Sequence, residues 1–355
     1  MRGEKPPSGA AYAGSGVDIA AGDQAVARIR GVVDATGRPG VLGGIGGFGG
    51  LFSLRALGDD RLRDPVLVSS TDGVGTKLLV ARATGRFATV GVDLVAMCVD
   101  DVVCAGAEPL FFLDYLAVGK LDPARVEEVV AGIAEGCRQA GCALLGGETA
   151  EHPGAMGPDD LDLAGFAVGL VERDALLDPS SVCPGDALIG LASPGLRSNG
   201  YSLARHVLLE VAGLGLEGPA WPGADHTLAD ELLRPSVIYA PAVLAARAAA
   251  PGGVHACAHV TGGGIPGNLA RVLPAGCDAR VRRGSWEVPR IFEEIARLGE
   301  VATDEMDRVF NLGLGMVLVV APESTGAVLR ALGAAGAAAT VVGEVATGTG
   351  QVVLS

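Results

Sequence analysis

Lysine is almost missing from this chain: Lys5, Lys77 and Lys120 stand against 24 arginines in 355 residues. Basic residues are also outnumbered, 27 against 41 acidic ones, for a formal charge of −14. That field repels a nucleic-acid duplex or an anionic bilayer, and no basic patch in the sequence offsets it. Neither a nucleic acid nor a membrane is an expected partner. Long hydrophobic runs are lacking too, because stretches such as Pro109 to Val118 fall well short of the roughly 20 residues that a spanning helix needs. The seven cysteines are an odd number and include no C-x-x-C pair, which excludes a disulfide framework and a zinc knuckle. They read as small buried hydrophobes in a reducing cytoplasm. Met1 to Ala10 has no apolar core or small-residue cleavage site, so export is not expected.

Glycine is abundant instead, with 55 residues gathered in clusters rather than at a fixed period. Such clusters mark loops that let a ligand approach the backbone. The first, Gly43 to Gly50, reads as a loop or a kinked strand. Beyond it the sequence predicts a strand at Val66–Ser70, the turn Thr71-Asp-Gly-Val-Gly-Thr-Lys77 and a helix over Thr89–Ala105. A strand over Leu110–Val118 leads to a helix opened by Asp122-Pro123 and closed near Gly141. A strand from Cys142 to Leu145 is expected to end in Gly146-Gly-Glu-Thr149, and Asp162–Glu172 reads as another. A Pro/Ser/Asp cluster at Leu177–Gly185 marks a boundary, giving domains 1–174 and 175–355. The second half repeats the grammar, with strands at Ala187–Ala192 and Val254–His259 each followed by a glycine-containing turn. A helix is expected over Tyr201–Leu214 and a strand over Val309–Val320. The class is α/β or α+β with two domains.

Carboxylates stand beside these turns. Asp93, Asp100 and Asp101 fall on one side of the predicted helix, as either a solvated acidic face or a cluster relieved by a cation. Asp72 and Glu148 lie at strand-to-glycine turns, where ligands bind in alternating sheets, which favours a shared Mg²⁺ site. Mg²⁺ works through a few carboxylates and substrate phosphates, so a nucleotide is implied. Lys77, a rare lysine beside glycines, is placed to meet phosphate. The turn is not a standard P-loop, and neither a Rossmann fingerprint nor a G-x-S-x-G elbow is present. His259 precedes Thr261-Gly-Gly-Gly264, whose backbone N–H groups suit a phosphate, although a strand-end histidine is also a common structural residue. Ser198-Asn-Gly-Tyr201 carries the same ambiguity, since Ser and Asn cap helices routinely.

With these segments in view, the chain resembles the phosphoribosylformylglycinamidine cyclo-ligases, or aminoimidazole ribonucleotide synthetases. The resemblance runs through Gly16-Val-Asp-Ile19, Gly43-Gly-Ile-Gly-Gly-Phe48, Thr71–Lys77, Gly91–Met97, Gly106–Tyr115, Gly146–Ala150, Ser198–Ser202 and His259–Gly264, in that order, over nearly the whole chain.

The resemblance implies a two-domain ATP-binding synthetase fold. Its N-terminal domain gives strands to a barrel shared in a homodimer, and its C-terminal α/β domain completes the substrate cleft. It implies ATP-dependent closure of formylglycinamidine ribonucleotide to aminoimidazole ribonucleotide in purine biosynthesis, with ATP and Mg²⁺ as cofactors. By matching motifs, Asp72, Asp101 and Glu148 are the expected metal ligands, with Asp93 beside them on the nucleotide. Gly43, Gly44, Gly46, Gly47 and Phe48 would cover the nucleotide, and Gly73, Gly75, Thr76 and Lys77 would meet its phosphates. Ser198, Asn199, Gly200, Tyr201, His259, Thr261, Gly262, Gly263 and Gly264 would face the substrate, with His259 and Lys77 in catalytic roles. Two departures stand out. Ala13 follows Tyr12 where relatives usually carry lysine, and Ile265-Pro-Gly-Asn268 follows the glycine triplet where relatives often show an aromatic and an acidic residue.

Overall fold

The computed structural model describes residues 19–45, 49–58 and 62–355. Gly16–Asp18, Gly46, Gly47 and Phe48 lie outside the described residues. The chain opens with helix α1 (Ile19–Asp34), followed by two short paired strands, β1 (Val41–Leu42) and β2 (Leu51–Phe52), on either side of the first glycine cluster. Then come β3 (Pro65–Gly73), α2 (Lys77–Thr84), α3 (Ala88–Cys104), β4 (Glu108–Val118), α4 (Pro123–Ala140), β5 (Ala143–Glu151) and β6 (Leu161–Glu172). The second half comprises β7 (Ala187–Ala192), α5 (Tyr201–Arg205), α6 (Leu228–Leu232), α7 (Ala240–Ala249), β8 (Val254–His259) and α8 (Gly264–Leu269). It ends with β9 (Cys277–Val281), α9 (Arg290–Gly299), α10 (Thr303–Val309), β10 (Leu314–Val320), α11 (Thr325–Ala334), β11 (Ala339–Thr347) and β12 (Val352–Leu354).

Two mixed sheets organise the described residues. The first has the order β3-β6-β4-β5 and is antiparallel except for β4 and β5, whose parallel pairing requires the crossover helix α4. That helix begins as expected: Asp122 accepts from Ala124 N at 3.0 Å, Pro123 occupies the first turn, and Gly141 closes it at φ +73°. The second sheet has the order β12-β9-β11-β7-β10-β8, with only the β12/β9 pair parallel. The β5 strand does not stop at Gly146 as predicted. Pairing with β4 carries it through Gly146-Gly-Glu-Thr149 to Glu151, because a partner strand satisfies the backbone groups that a glycine turn would leave free.

Helix α3 is the pivot. Val90, Leu94, Val95, Cys98, Val99, Val102 and Val103 are all 0% exposed. Residues buried this completely cover more than one face of the helix, so it must be enclosed rather than amphipathic. It packs on α4 so closely that a Cβ at Gly132 would lie 1.9 Å from the Ala88 carbonyl oxygen. It also touches β3 and β6 of the first half, and β8 and α7 of the second. The seam between the halves therefore runs along it. Among the described residues, the other face of the first sheet is uncovered and partly apolar, with Leu67 61%, Phe166 44% and Tyr115 36% exposed. Downstream, two predictions are redrawn: Tyr201–Leu214 becomes α5 continued by a π-helical segment to Val211, and Val309–Val320 divides into the end of α10 and the strand β10.

Candidate functional site at the seam

The three aspartates of α3 have different surroundings. Asp93 is fully buried, ion-paired with Lys77 Nζ at 2.5 Å, and accepts from Ser236 N and Oγ at 2.8 and 2.6 Å. Asp100, two helical turns on, is also fully buried. It accepts from Tyr239 N and Ala240 N and pairs with Arg197 Nη2 at 2.9 Å. Burial raises its pKa, and the Arg197 charge opposes the rise. Asp101 turns toward the seam with its side chain 45% exposed, accepting from His259 Nδ1 at 2.8 Å and Ser70 Oγ at 3.2 Å. Burial works against its ionised form, but the His259 and Ser70 hydrogen bonds and the Arg271 charge prevail and hold the carboxyl below its usual range. The acidic stripe is thus neither a solvated face nor one metal cluster.

Lys77 does not stand where a phosphate would meet it. It is 0% exposed, and besides Asp93 its ammonium donates to the carbonyls of Arg197 and Arg234 at 3.2 and 2.8 Å. Its directed donors are spent inside the protein, so the expected phosphate contact and catalytic role give way to a structural one. Asp93, fully buried, goes with it as the partner of that ammonium.

Arg197 connects the layers. Nη1 donates to Val237 O, Nη2 to Asp100, and the guanidinium lies 4.8 Å from the Tyr239 ring centroid. Nη2 also lies 2.9 Å from His259 Nε2. A guanidinium only donates, so Nε2 must accept, and the imidazole is neutral with its proton on Nδ1, directed at Asp101. His259 thus positions Asp101, and both of its ring nitrogens are engaged within the protein rather than turned to the cavity for the expected proton transfer. Arg197 itself sits at φ +63°, a left-handed backbone conformation rare for a non-glycine residue, while 2% exposed. Strain of this kind persists only where surrounding contacts over-determine it.

Around this chain the predicted turns do meet. Asp72, at the end of β3, accepts from Gly73 N at 2.7 Å. Burial raises its pKa, and so does the neighbouring charge of Asp101. Thr76 Oγ1 lies 3.3 Å from Ser202 Oγ, and a Cβ on Gly75 would lie 3.7 Å from the Ser198 carbonyl oxygen. Tyr201 is buried beneath, its hydroxyl donating to Leu232 O. Ser198 Oγ and Asn199 Oδ1 are buried with no protein partner. A Cβ on Gly262 would lie 3.8 Å from Asn199 Nδ2, which places that turn opposite. Gly263 and Gly264 have φ +99° and +62°, and Asn268, 3% exposed, staples the turn by donating to the carbonyls of Thr261, Gly262 and Gly264. Asp101, His259, Asn268, Arg271 and Ser70 line a cavity of about 310 Å³.

Arg271 was not singled out from the sequence. It lies in a helical turn without a motif, and only the packing of that turn against the seam gives it a place there. Asn268 was noted only as a departure, and the structure gives it the task of holding the glycine turn.

Glu148 and the first glycine cluster lie elsewhere. Glu148 is exposed on β5, at the opposite edge of the sheet from Asp72, and is registered with Tyr115 on the face turned away from α3. With three interstrand spacings of about 4.8 Å between those edges, Glu148 cannot share one ion with Asp72 and Asp101 within a chain. Gly43 and Gly44 line a separate cavity of about 120 Å³ between α1 and the start of β5, beside the Glu148 edge rather than at the seam.

A further acid lies under the sheet. Asp114, paired in register between Gly165 and Gly147, is pushed up to about 7 by burial.

A six-stranded sheet packed beside a four-stranded one, with carboxylates, glycine turns and a buried arginine along their seam, defines the AIR synthase-related class of α/β proteins. Residues 58–171 match the family model described as "AIR synthase related protein, N-terminal domain", and residues 183–354 match its C-terminal domain. Among solved structures, thiamine-monophosphate kinase from Stenotrophomonas maltophilia superposes with a TM-score of 0.68 at 22% identity, covering 94% of this chain and 96% of that one. The hydrogenase maturation protein HypE in complex with ATP superposes at 0.57 and 20% identity, over 81% of each chain. A relative from Myxococcus xanthus, phosphoribosylformylglycinamidine cyclo-ligase, is 55% identical over 343 residues, 97% of this chain and 98% of its own. The chain belongs to the phosphoribosylformylglycinamidine cyclo-ligase family.

Two measurements test the buried groups. Lys77→Met leaves the Asp93 charge uncompensated and should cost about 3–5 kcal/mol in urea unfolding, much of it recovered by Asp93→Leu in the same chain. A single-variant loss below about 1 kcal/mol would show that the pair is not buried. For Asp114, a folded pKa near 7 against about 3.9 unfolded means that its contribution to stability is fullest below pH 4 and is lost as pH rises toward 7. Asp114→Asn should remove that decline between pH 5 and 7, and a variant profile parallel to wild type would contradict the assignment.

Proposed function

We propose that the seam carries out ATP-dependent ring closure of formylglycinamidine ribonucleotide to aminoimidazole ribonucleotide, releasing ADP and phosphate, the activity that the family name denotes. The observation that carries this reading is the meeting of Asp72, Asp101 and the Gly73–Thr76 turn from the first half with Ser198, Asn199 and the Thr261–Gly264 turn from the second. Each half alone offers a fragment of a polar cradle, and together they bound one cleft.

The chemistry needs such a cleft. A formamide oxygen is a poor leaving group. Its phosphorylation by ATP makes it a good one, and the amidine nitrogen of the same molecule then displaces phosphate as the ring closes, with proximity lowering the barrier. Both substrates are polyanions in a protein of charge −14, so neutralisation must be local. Asp72 and Asp101 fit a divalent cation such as Mg²⁺: the Asp101 charge raises the cost of ionising Asp72, Asp72 has no Lys or Arg partner among the described residues, and the all-oxygen set suits a hard ion. Bound there, it would offset phosphate charge. Arg271 faces the same cavity and supplies a fixed positive charge for a phosphate. Ser198 Oγ and Asn199 Oδ1, unpartnered within the protein, gain partners from the ribonucleotide. Gly75 and Thr76 hold the nucleotide phosphates through backbone N–H groups. His259 keeps Asp101 ionised and aimed.

The bare face of the first sheet supports a homodimer. Leu67, Phe166 and Tyr115 stand exposed there, and a second copy would cover them while bringing Glu148 into the interface. The gap between the two matched family regions, 58–171 and 183–354, supports a domain division near residue 175. No helix among the described residues is long and apolar enough to cross a membrane, and all seven thiols are free, in keeping with a reducing cytoplasm.

In a coupled assay, ADP should appear only when formylglycinamidine ribonucleotide, ATP and Mg²⁺ are all present. Asp101→Asn should cut turnover on the order of tenfold to hundredfold or more with the folded state unchanged by circular dichroism. Absence of substrate-dependent ADP from the wild type would end the reading. For the dimer, Phe166→Asp should lower the mass measured by sedimentation equilibrium to that of one chain, and an unaltered dimer would place the interface elsewhere.

A further inference from the structure

We propose that the turn Cys183-Pro-Gly-Asp186, together with His255, is a binding site for a soft divalent cation, Zn²⁺ foremost, remote from the seam. One ligand atom from each of Cys183, Asp186 and His255 lies within 4.8 Å of the others. Cys183 Sγ is 3.6 Å from Asp186 Oδ1. A tetrahedral site with Zn–S of about 2.3 Å and Zn–O of about 2.1 Å has an S–O edge of about 3.6 Å, so the turn already holds two ligands at coordination spacing. His255 Nδ1 lies 2.8 Å from Asp186 Oδ2, and opening this contact by several tenths of an ångström admits the ion.

The turn is rigid for a local reason: Cys183 N donates to Asp186 Oδ2 at 3.0 Å, and Asp186 N donates back to Cys183 O at 3.2 Å. The fold adds the third ligand. Asp186 immediately precedes β7 and His255 is the second residue of β8, while Val320 of the intervening β10 pairs with both Ala187 and Val254. His259 ends the same β8 strand four residues on, roughly 13 Å away along the chain, so the two places are separate.

An independent observation points to a cation. Asp186 is 0% exposed, yet among the described residues no lysine or arginine pairs with it and its only ion-pairing contact is the His255 imidazole. The equally buried Asp93 and Asp100 each face a lysine or arginine. Cys183 is the one exposed thiol of the seven, and the His255 side chain is 16% exposed, so an ion can enter and keep its fourth position for water. Thiolate and imidazole select Zn²⁺, Co²⁺ or Ni²⁺ over Mg²⁺. The bound ion would pin the turn to β8.

The test uses the full chain and an aromatic disulfide reagent, which reads the exposed Cys183 thiol in the native state. Micromolar Zn²⁺ should slow that reaction at least tenfold and raise Tm by a few degrees, whereas Mg²⁺ should do neither. His255→Ala keeps the reactive thiol and should lose both effects, and Cys183→Ser should lose the fast thiol reaction itself. Absence of Zn²⁺ protection in the wild type, or equal protection in His255→Ala, overturns the proposal.

Discussion

Three carboxylates on one buried helix can coexist only if each finds its own counter-group, and the rest of the molecule is arranged to meet that demand. Asp93 takes Lys77 from the turn beyond β3, Asp100 takes Arg197 from the second half, and Asp101 takes His259 from the end of β8. Two of the three partners cross the seam, the Asp100–Arg197 pair as buried charge and the neutral His259 as a hydrogen bond to Asp101, so the halves are joined by these contacts as well as by the apolar core around α3. Breaking one such pair strands a charge in a medium that solvates it poorly. The energetic demand of the helix thereby fixes how the glycine turns of the two halves face each other.

This arrangement also grades the aspartates by use. Two are sunk in permanent pairs and are structural. The third is held by a neutral imidazole, remains partly exposed and keeps a low pKa, which suits a carboxylate that must meet a cation or a phosphate-bearing ligand. The Arg197 guanidinium, between Asp100 and His259, joins the buried network to the exposed one. An acidic chain can in this way present one locally neutralised cleft to anionic substrates.

Much of this was legible in the sequence. The strands Ala187–Ala192 and Val254–His259 match their predicted bounds, the Asp122-Pro123 opening and Gly141 close of α4 hold, and the cyclo-ligase resemblance agrees with the family membership. Period-two alternation, proline at a first turn and glycine in a left-handed cap act within a few residues, so local pattern suffices. The Gly146–Thr149 turn failed because pairing with β4, more than thirty residues earlier, overrode a local glycine signal. At the level of the site the same distinction holds: residue type and spacing suggested phosphate for Lys77 and metal for Glu148, whereas the fold buries Lys77 against Asp93 and sets Glu148 at the opposite edge of the sheet from Asp72. The expectation of buried cysteines held for most of them and failed at Cys183, where the turn leaves the thiol outside.

By itself, the amino-acid order determined the element types, the two-part organisation, the family and the short list of polar residues beside glycine turns, because each depends on neighbours within a turn or a strand. Tertiary structure alone decided which of those residues share a cleft, which nitrogen of His259 carries the proton, and which carboxylates are paired in the interior. Those outcomes depend on contacts between segments some hundred residues apart, and on the dielectric that packing creates around them.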